Sequence, residues 1–286
     1  MKQFKVLQWA FSFLKQYNRE PHVAERLLQH VTNRSRTEFL LHMQDELDSS
    51  TIATFKQMIE CHAKEGVPIQ HMIGLAPFYG RDFYVNSDVL IPRFETEELV
   101  ERTIQTIHSS FTEVDSPLIV ADLGTGSGVI AVTLALEVPS LSVYATDISE
   151  QALEVAKQNA TMFQAKLQFL HGDFLRPLIE RNINPNIIVS NPPYISFAEA
   201  SELSDTVKRY DPALALFAEK DGLAAYETIV EQITELPPLT GRQVLFEIGY
   251  QQGERVVNLI KETFPNSNVD ILQDINGKDR IVHANL

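Results

Sequence analysis

Cysteine is almost missing from this chain. Cys61 stands alone among 286 residues, so no intrachain disulfide can form and a reducing compartment fits. On its helical stretch it reads as a small buried hydrophobe. No apolar run reaches the roughly 18 residues that span a bilayer, and Met1-Lys2-Gln3-Phe4 opens no signal-peptide core. The expected location is therefore the cytoplasm, with no membrane partner. The eight histidines show no His-x3-His, His-Glu-x-x-His or Cys-x-x-Cys spacing, so no metal is expected. Internal repeats and low-complexity tracts are also lacking.

The apolar fraction of 44% and the charged fraction of 22% are those of a soluble globular protein, long enough for two domains. The net charge of −14 is unevenly placed. Residues 1–75 carry nine basic and eight acidic side chains, and residues 76–286 carry fifteen and thirty. An acidic surface repels phosphates, so no stable nucleic-acid binding is expected of the larger part.

Helical spacing runs from Phe4 to about Lys64, with Leu7, Phe11 and Leu14 on one face. Pro21 suits the first turn of a second helix carrying Val23, Leu27 and Leu28. Ser35-Arg36-Thr37-Glu38 has capping-box spacing ahead of Phe39, Leu40 and Leu41, and Ser50 is placed to cap a fourth segment. Residues 1–68 therefore read as a small helical bundle. After Gly66-Val67-Pro68 the chain turns extended, and Phe83-Tyr84-Val85 before Asn86 predicts a hairpin, making 69–92 a β-hairpin connector. A helix from about Glu95 follows Pro92.

Beyond Pro117, strands at 118–123, 142–147, 167–171, 186–190 and 243–248 alternate with amphipathic segments. The pattern predicts an α/β fold with a doubly wound, mostly parallel sheet over 93–286. Asn276-Gly277 between two β-branched runs predicts an antiparallel C-terminal hairpin.

Asn191-Pro192-Pro193-Tyr194 is the stretch hardest to explain as packing. It follows the apolar run Asn186 to Ser190, at the strand end where open α/β sheets bind ligands. Two successive prolines remove two backbone donors and stiffen the chain. The Asn191 side-chain oxygen and the Pro192 carbonyl can accept both N–H bonds of a planar amide or amino group while Tyr194 packs on its face. The alternative is a rigid loop, because proline pairs are common turn punctuation.

The first sheet strand ends in Gly124-Thr125-Gly126-Ser127-Gly128, a glycine loop whose spacing departs from the Gly-x-Gly-x-x-Gly of dinucleotide binders. Asp147 closes the second strand, placed to accept both ribose hydroxyls or to cap the helix Ser149 to Asn159. Asp173 and Phe174 close the third, set for an exocyclic amine and ring stacking on adenine, or for a helix cap and core packing. His171 reads as a packing residue. No histidine or lysine marks this edge for hydride transfer, so an oxidoreductase ranks last. A pocket for a nitrogen nucleophile beside a nucleoside site instead suits S-adenosyl-L-methionine.

From residue 66 onward the chain resembles the bacterial PrmC/HemK family of release factor glutamine methyltransferases. The resemblance rests on Phe78-Tyr79-Gly80, Val89-Leu90-Ile91-Pro92-Arg93, Glu95-Thr96-Glu97, the glycine loop, Asn191 to Tyr194, Asp211 to Leu216 and Gly277-Lys278-Asp279-Arg280. Phe94, Phe174 and Asp211 stand where that family commonly has proline, tryptophan and glutamate. The resemblance implies a Rossmann-like methyltransferase domain and a helical N-terminal domain that docks the release factor. It implies methyl transfer to the glutamine of a Gly-Gly-Gln motif, with Asn191, Pro192, Pro193 and Tyr194 holding that glutamine. It also implies that residues 124–128, Asp147, Asp173, Phe174 and Asn191 hold the cofactor. The alternatives are an adenine or guanine amino-methyltransferase of DNA or RNA, which needs the same acceptors, and a non-catalytic nucleoside-binding module.

Overall fold

The computed structural model describes residues 1–111, 118–201 and 203–286. Pro117, expected to open the strand and helix alternation, lies outside them. The chain forms two compact units, Met1–Leu75 with Ser204–Tyr210, and Ala76–Leu203 with Asp211–Leu286.

The first unit is helical: α1 (Gln3–Gln16), α2 (Val23–Thr32), α3 (Arg36–Leu41), α4 (Ser49–Glu65) and α5 (Ile69–Ile73). Their apolar stripes meet in a core containing Leu7, Leu14, Leu27, Leu28, Phe55 and Ile59. Phe11 is only partly buried. Ser35 and Glu38 form the expected capping box. It opens a helix of six residues, too short to bury the whole apolar run, so Phe39 reaches the core while Leu41 stays 76% exposed. The cap of α4 is Asp48, whose carboxylate accepts from the Thr51 amide at 2.9 Å, and not Ser50. Pro21 lies just ahead of α2 instead of within its first turn. Cys61 is half-buried, with its thiol 3.9 Å from Glu65 Oε2.

The second unit begins at the second residue of β1 (Leu75–Phe78), which pairs with β2 (Arg81–Tyr84) as a hairpin. Its turn falls at Tyr79 and Gly80, both at positive φ, ahead of the expected Asn86. Residues 69–73 are helical, where the proline and glycine punctuation predicted extended chain. Next come α6 (Phe94–Ser110), β3 (Ile119–Leu123), α7 (Val129–Glu137), β4 (Ser142–Asp147), α8 (Glu150–Phe163), β5 (Gln168–His171), α9 (Arg176–Ile179) and β6 (Ile187–Ser190). A short loop region follows, with β7 (Ile195–Ser196), α10 (Asp205–Tyr210, clustered with the first unit), α11 (Ala213–Leu216), β8 (Phe217–Ala218) and α12 (Glu219–Gly222). The chain ends with α13 (Ala224–Glu235), β9 (Gln243–Glu247), α14 (Gly253–Thr263), β10 (Asn268–Gln273) and β11 (Asp279–Asn285).

Among the described residues the main sheet has seven strands in the order β10-β11-β9-β6-β3-β4-β5. Strands β9, β6, β3, β4 and β5 are parallel, and β11 and β10 close one side antiparallel, so the doubly wound sheet with its C-terminal hairpin forms as expected. Side chains alternate between two apolar layers, as a pleated strand requires. In β6, Ile187 and Val189 pack with α6 and α7, while Ile188 packs with α13 and α14. Both faces are covered, which is why the central strands read as continuous apolar runs.

The glycine loop is anchored from behind. Asn159 on α8 accepts from the Tyr84 amide at 2.7 Å and donates to the Tyr84 and Ser127 carbonyls at 2.9 and 2.8 Å, tying the hairpin to the loop. Gly128 caps α7 with φ of 81°, and a Cβ there would sit 2.9 Å from the Ala156 Cβ on α8. Gly128→Ala should therefore lower stability by about 1–3 kcal/mol through overpacking and a disfavoured φ, read as a lower melting temperature.

Candidate active site

The strand order reverses between β3 and β6, and at such a point the two C-terminal ends open a crevice. The Ser190 hydroxyl donates to the Leu123 carbonyl at 2.7 Å and holds these ends together just below it. A cavity of about 400 Å³ occupies the crevice. Its floor is the glycine loop. One wall is formed by Asp147, Ile148, Asp173 and Phe174, and the opposite one by Asn191, Pro193 and the 212–219 stretch. Residues 88–93 complete the enclosure, apart from Ile91.

Most of the expected site residues are brought together here. Gly124, Thr125, Gly126, Ser127, Asp147, Asp173, Phe174, Asn191 and Pro193 all line the cavity. Gly128, Pro192 and Tyr194 are not part of the lining. Gly128 faces α8, Pro192 is buried, and the Tyr194 phenol is buried enough to be pushed well above its usual pKa.

Asp147 is fixed by its neighbours. Its Oδ2 accepts from the Gly126 amide and its Oδ1 from the Ser149 amide, both at 2.9 Å. The helix cap is Ser149, whose hydroxyl accepts from the Ala152 amide, so Asp147 does not cap α8. Burial raises its pKa, against those backbone bonds. Asp173 Oδ2 accepts from Gln232 Nε2 at 2.9 Å, while Gln232 Oε1 accepts from the Leu175 amide at 2.7 Å. His171 does not pack inside as expected. It is exposed, with Nε2 2.9 Å from the Ile148 carbonyl.

Several ties that build the site join residues far apart in the sequence. Arg93 donates to the buried Asp211 carboxylate at 2.8 Å, and the Ile91 amide reaches the same side chain at 3.5 Å, so the 88–93 wall is tied to the 212–219 wall. Gln252 donates to the Tyr194 carbonyl at 2.8 Å and accepts from the Gly249 amide at 3.1 Å. Gly222, with φ of 83°, packs against that same carbonyl, which a Cβ would approach to 2.1 Å. The tetrapeptide is thus clamped from behind by a glutamine and by a glycine that no other residue can replace.

Two carboxylates lie fully inside. Asp122 accepts from the Thr125 hydroxyl at 2.6 Å and the Ala131 amide at 3.1 Å, and its Oδ1 has no partner among the described residues. Burial pushes its pKa up to about 7. Glu247, at the end of β9, accepts from the Thr96 hydroxyl at 2.7 Å, and Thr96 in turn accepts from Asn191 Nδ2 at 3.2 Å. Burial likewise raises Glu247 to about 7, with the Thr96 hydroxyl and the nearby Arg280 opposing. The signal for both is an acid within the last two positions of a largely apolar strand.

The crevice and the glycine loop are those of a nucleoside-binding α/β sheet, and the relatives of the chain define the class, a methyltransferase. The family model described as methyltransferase small domain matches residues 105–209, and the one described as PrmC N-terminal domain matches residues 5–74. The chain is 46% identical over 284 residues to the release factor glutamine methyltransferase of Bacillus subtilis, covering 98% of this chain and 96% of the relative. It is 44% identical over 288 residues to that of Bacillus anthracis, covering 100% of both. A release factor-specific protein-(glutamine-N5) methyltransferase structure from Alicyclobacillus acidocaldarius is 29% identical, covers 71% of this chain and 98% of its own, and has a TM-score of 0.45. The chain belongs to the family of release factor glutamine methyltransferases. Among the described residues no helix is long and apolar enough to cross a membrane, and no cluster of potential metal ligands occurs.

Burying Glu247 has a consequence for stability. Its folded pKa of about 7 exceeds the ordinary 4.5, so its contribution is fully present below pH 4.5 and is lost as pH rises through about 7. Glu247→Gln should therefore be more stable than the parent by about 1–3 kcal/mol near pH 8, with the gap closing near pH 4 in urea denaturation.

Proposed function

We propose that the protein transfers a methyl group from S-adenosyl-L-methionine to the side-chain amide nitrogen, N5, of the glutamine in the Gly-Gly-Gln motif of peptide chain release factors, supporting translation termination. The observation that carries this reading is that Asn191 and Pro193 open onto the same cavity as the glycine loop and Asp147. A nucleophile site and a nucleoside site thus share one enclosure. Residues 1–68 dock the release factor in this reading, 69–92 connect, and 93–286 carry the chemistry.

The lining fits the cofactor. Each Asp147 oxygen accepts one backbone N–H and keeps a further lone pair for a ribose hydroxyl. Phe174 offers a ring to adenine, and Asp173 keeps Oδ1 for the exocyclic amine, since only Oδ2 is engaged by Gln232. Gly124 to Ser127 leave room over the loop for the amino-acid end, which Asn191 adjoins. When bound, S-adenosyl-L-methionine supplies an electrophilic methyl group on a sulfonium.

An amide nitrogen is a weak nucleophile because its lone pair is delocalised into the carbonyl. Asn191 Oδ1 and the Pro192 carbonyl accept its two N–H bonds and hold the nitrogen in line for attack, an orientation worth up to about 7–11 kcal/mol in ideal systems. Both acceptors also stabilise the positive charge that develops on nitrogen. Tyr194, partly buried with its phenol kept neutral, lies outside the lining and backs the tetrapeptide. The proton leaves afterwards to the pocket or to water, so no strong base is required.

The direct test is to incubate the protein with labelled S-adenosyl-L-methionine and a release factor, and to locate the label by mass spectrometry. Label on the Gly-Gly-Gln glutamine is expected, whereas label only on added DNA or RNA would favour an amino-methyltransferase of nucleic acids. Asn191→Ala should lower kcat about 100- to 1,000-fold with a smaller change in cofactor affinity, as removal of a transition-state hydrogen bond does. Near-normal turnover by this variant, folded and cofactor-saturated, would return the tetrapeptide to a structural role. Asp147→Ala should weaken S-adenosyl-L-methionine binding by about 1–3 kcal/mol in calorimetry.

A further inference from the structure

An asparagine side chain can present either of two opposite faces to a ligand. With its oxygen forward it accepts, and with its nitrogen forward it donates. A substrate amide that offers two N–H groups is held only by the first, because a forward nitrogen would set donor against donor. The side chain alone does not choose between the faces, since O and NH2 are nearly the same size. Something behind Asn191 has to make the choice.

The chain of groups behind it does so by counting protons. Glu247, when ionised, is an acceptor only. The Thr96 hydroxyl, 2.7 Å from Glu247 Oε2, has a single proton and gives it to that carboxylate. Thr96 Oγ1 is then left as an acceptor toward Asn191 at 3.2 Å, and only Nδ2 can donate to it. The nitrogen is drawn inward and Oδ1 faces the cavity, which both Asn191 and Thr96 line. Thr96 is 3% exposed and Glu247 1%, so water does not compete for these bonds. We propose that Thr96, polarised by Glu247, is a positioning residue that sets the Asn191 amide with its oxygen toward the substrate. This rests on the glutamine methyltransferase reading given above.

The polarity depends on Glu247 being ionised. A protonated Glu247 can donate to Thr96, whose hydroxyl is then free to donate to Asn191 Oδ1 and turn the amide the wrong way round. The charged and titratable groups facing Glu247 are Arg280 from β11, Arg93 and Glu95 at the start of α6, and the phenol of Tyr194. Tyr226 on α13 donates to the Glu247 backbone carbonyl at 2.8 Å.

The test compares the full-length enzyme with Thr96→Val, Thr96→Ser and Glu247→Gln, using a purified release factor and S-adenosyl-L-methionine across pH 6 to 9. Valine keeps the shape but has no proton to give, so Thr96→Val should lose about 10-fold or more in kcat, the scale of one buried hydrogen bond, with KM for both substrates within about twofold. Thr96→Ser, which keeps the hydroxyl, should recover to within about threefold of the parent. Glu247→Gln can donate as well as accept, so its kcat should fall about 5-fold and the acid limb of its pH profile should flatten. Parental kcat in Thr96→Val would overturn the proposal. So would a loss that serine does not restore and that comes with weaker cofactor binding or a lower melting temperature, because that pattern marks a purely structural tie between α6 and β9. If Thr96→Val does not fold, an unchanged kcat and pH profile in Glu247→Gln would overturn it instead. An unmodified enzyme that leaves the release factor unlabelled would overturn the functional reading as well, and is thereby told apart from failure of the relay alone.

Discussion

The divergence of β3 and β6 is the constraint on which the rest of the site depends. The helix that follows β3 packs into one apolar layer, through Val129, Ile130 and Val132, and α13, the next long helix after β6, packs into the other, through Ile229, Val230 and Ile233. Two neighbouring strands whose connections leave on opposite faces cannot close over their own ends. The opening must be lined by whatever the chain puts in its first turns, and here those are a glycine loop and a doubly proline-stiffened asparagine. The Ser190 hydroxyl on the Leu123 carbonyl keeps the two lips in register below the opening.

Stability is given up behind both lips. Asp122 behind the glycine loop and Glu247 behind the tetrapeptide are fully buried carboxylates, each met by a threonine hydroxyl at 2.6 and 2.7 Å. Hydroxyl bonds offset only part of the desolvation of a carboxylate, and both groups stay well above the ordinary acidic range. Apolar residues at these strand ends would pack at lower cost. What a carboxylate provides that they do not is a fixed direction of hydrogen bonding, and this matters where a loop or an amide has to be set one way round. The Thr125 hydroxyl, committed to Asp122, holds the turn whose next amide reaches Asp147.

How legible this was in the sequence depended on the range of the interaction. Strand periodicity, the Asn276-Gly277 turn and the Ser35 capping box are set by residues within a few positions of one another, and the corresponding elements formed near the expected places. The glycine loop, Asp147, Asp173 and Asn191 could be expected at one edge because each ends or closely follows a strand of a parallel sheet, where the fold itself gathers them. Local signals failed where burial was decided elsewhere. Leu40 and Leu41 continue an apolar run yet stay exposed on a six-residue helix, and His171 ends a strand that runs out of cover at the sheet edge. The clamps were the least legible. Arg93 with Asp211, Gln252 with Tyr194 and Thr96 with Glu247 are separated by 118, 58 and 151 positions, and no periodicity connects such pairs.

The charges around the cavity share the acidic excess of the larger part of the chain. Asp88, Asp147, Asp173 and Glu219 line it, and among the described residues the one cation in the lining, Arg93, is paired with Asp211. The remaining surface is largely apolar, with Val89, Leu90, Ile130, Ile148, Leu214 and Phe217. A sulfonium and a neutral, donor-bearing amide both gain from such a lining, the first from the negative field and the second from acceptors free of competing water. A phosphate-bearing strand would meet repulsion at the mouth, with no unpaired cation among the described lining residues to offset it. The acceptors that could serve an exocyclic base amine are therefore present, but the surrounding field favours a substrate delivered on protein.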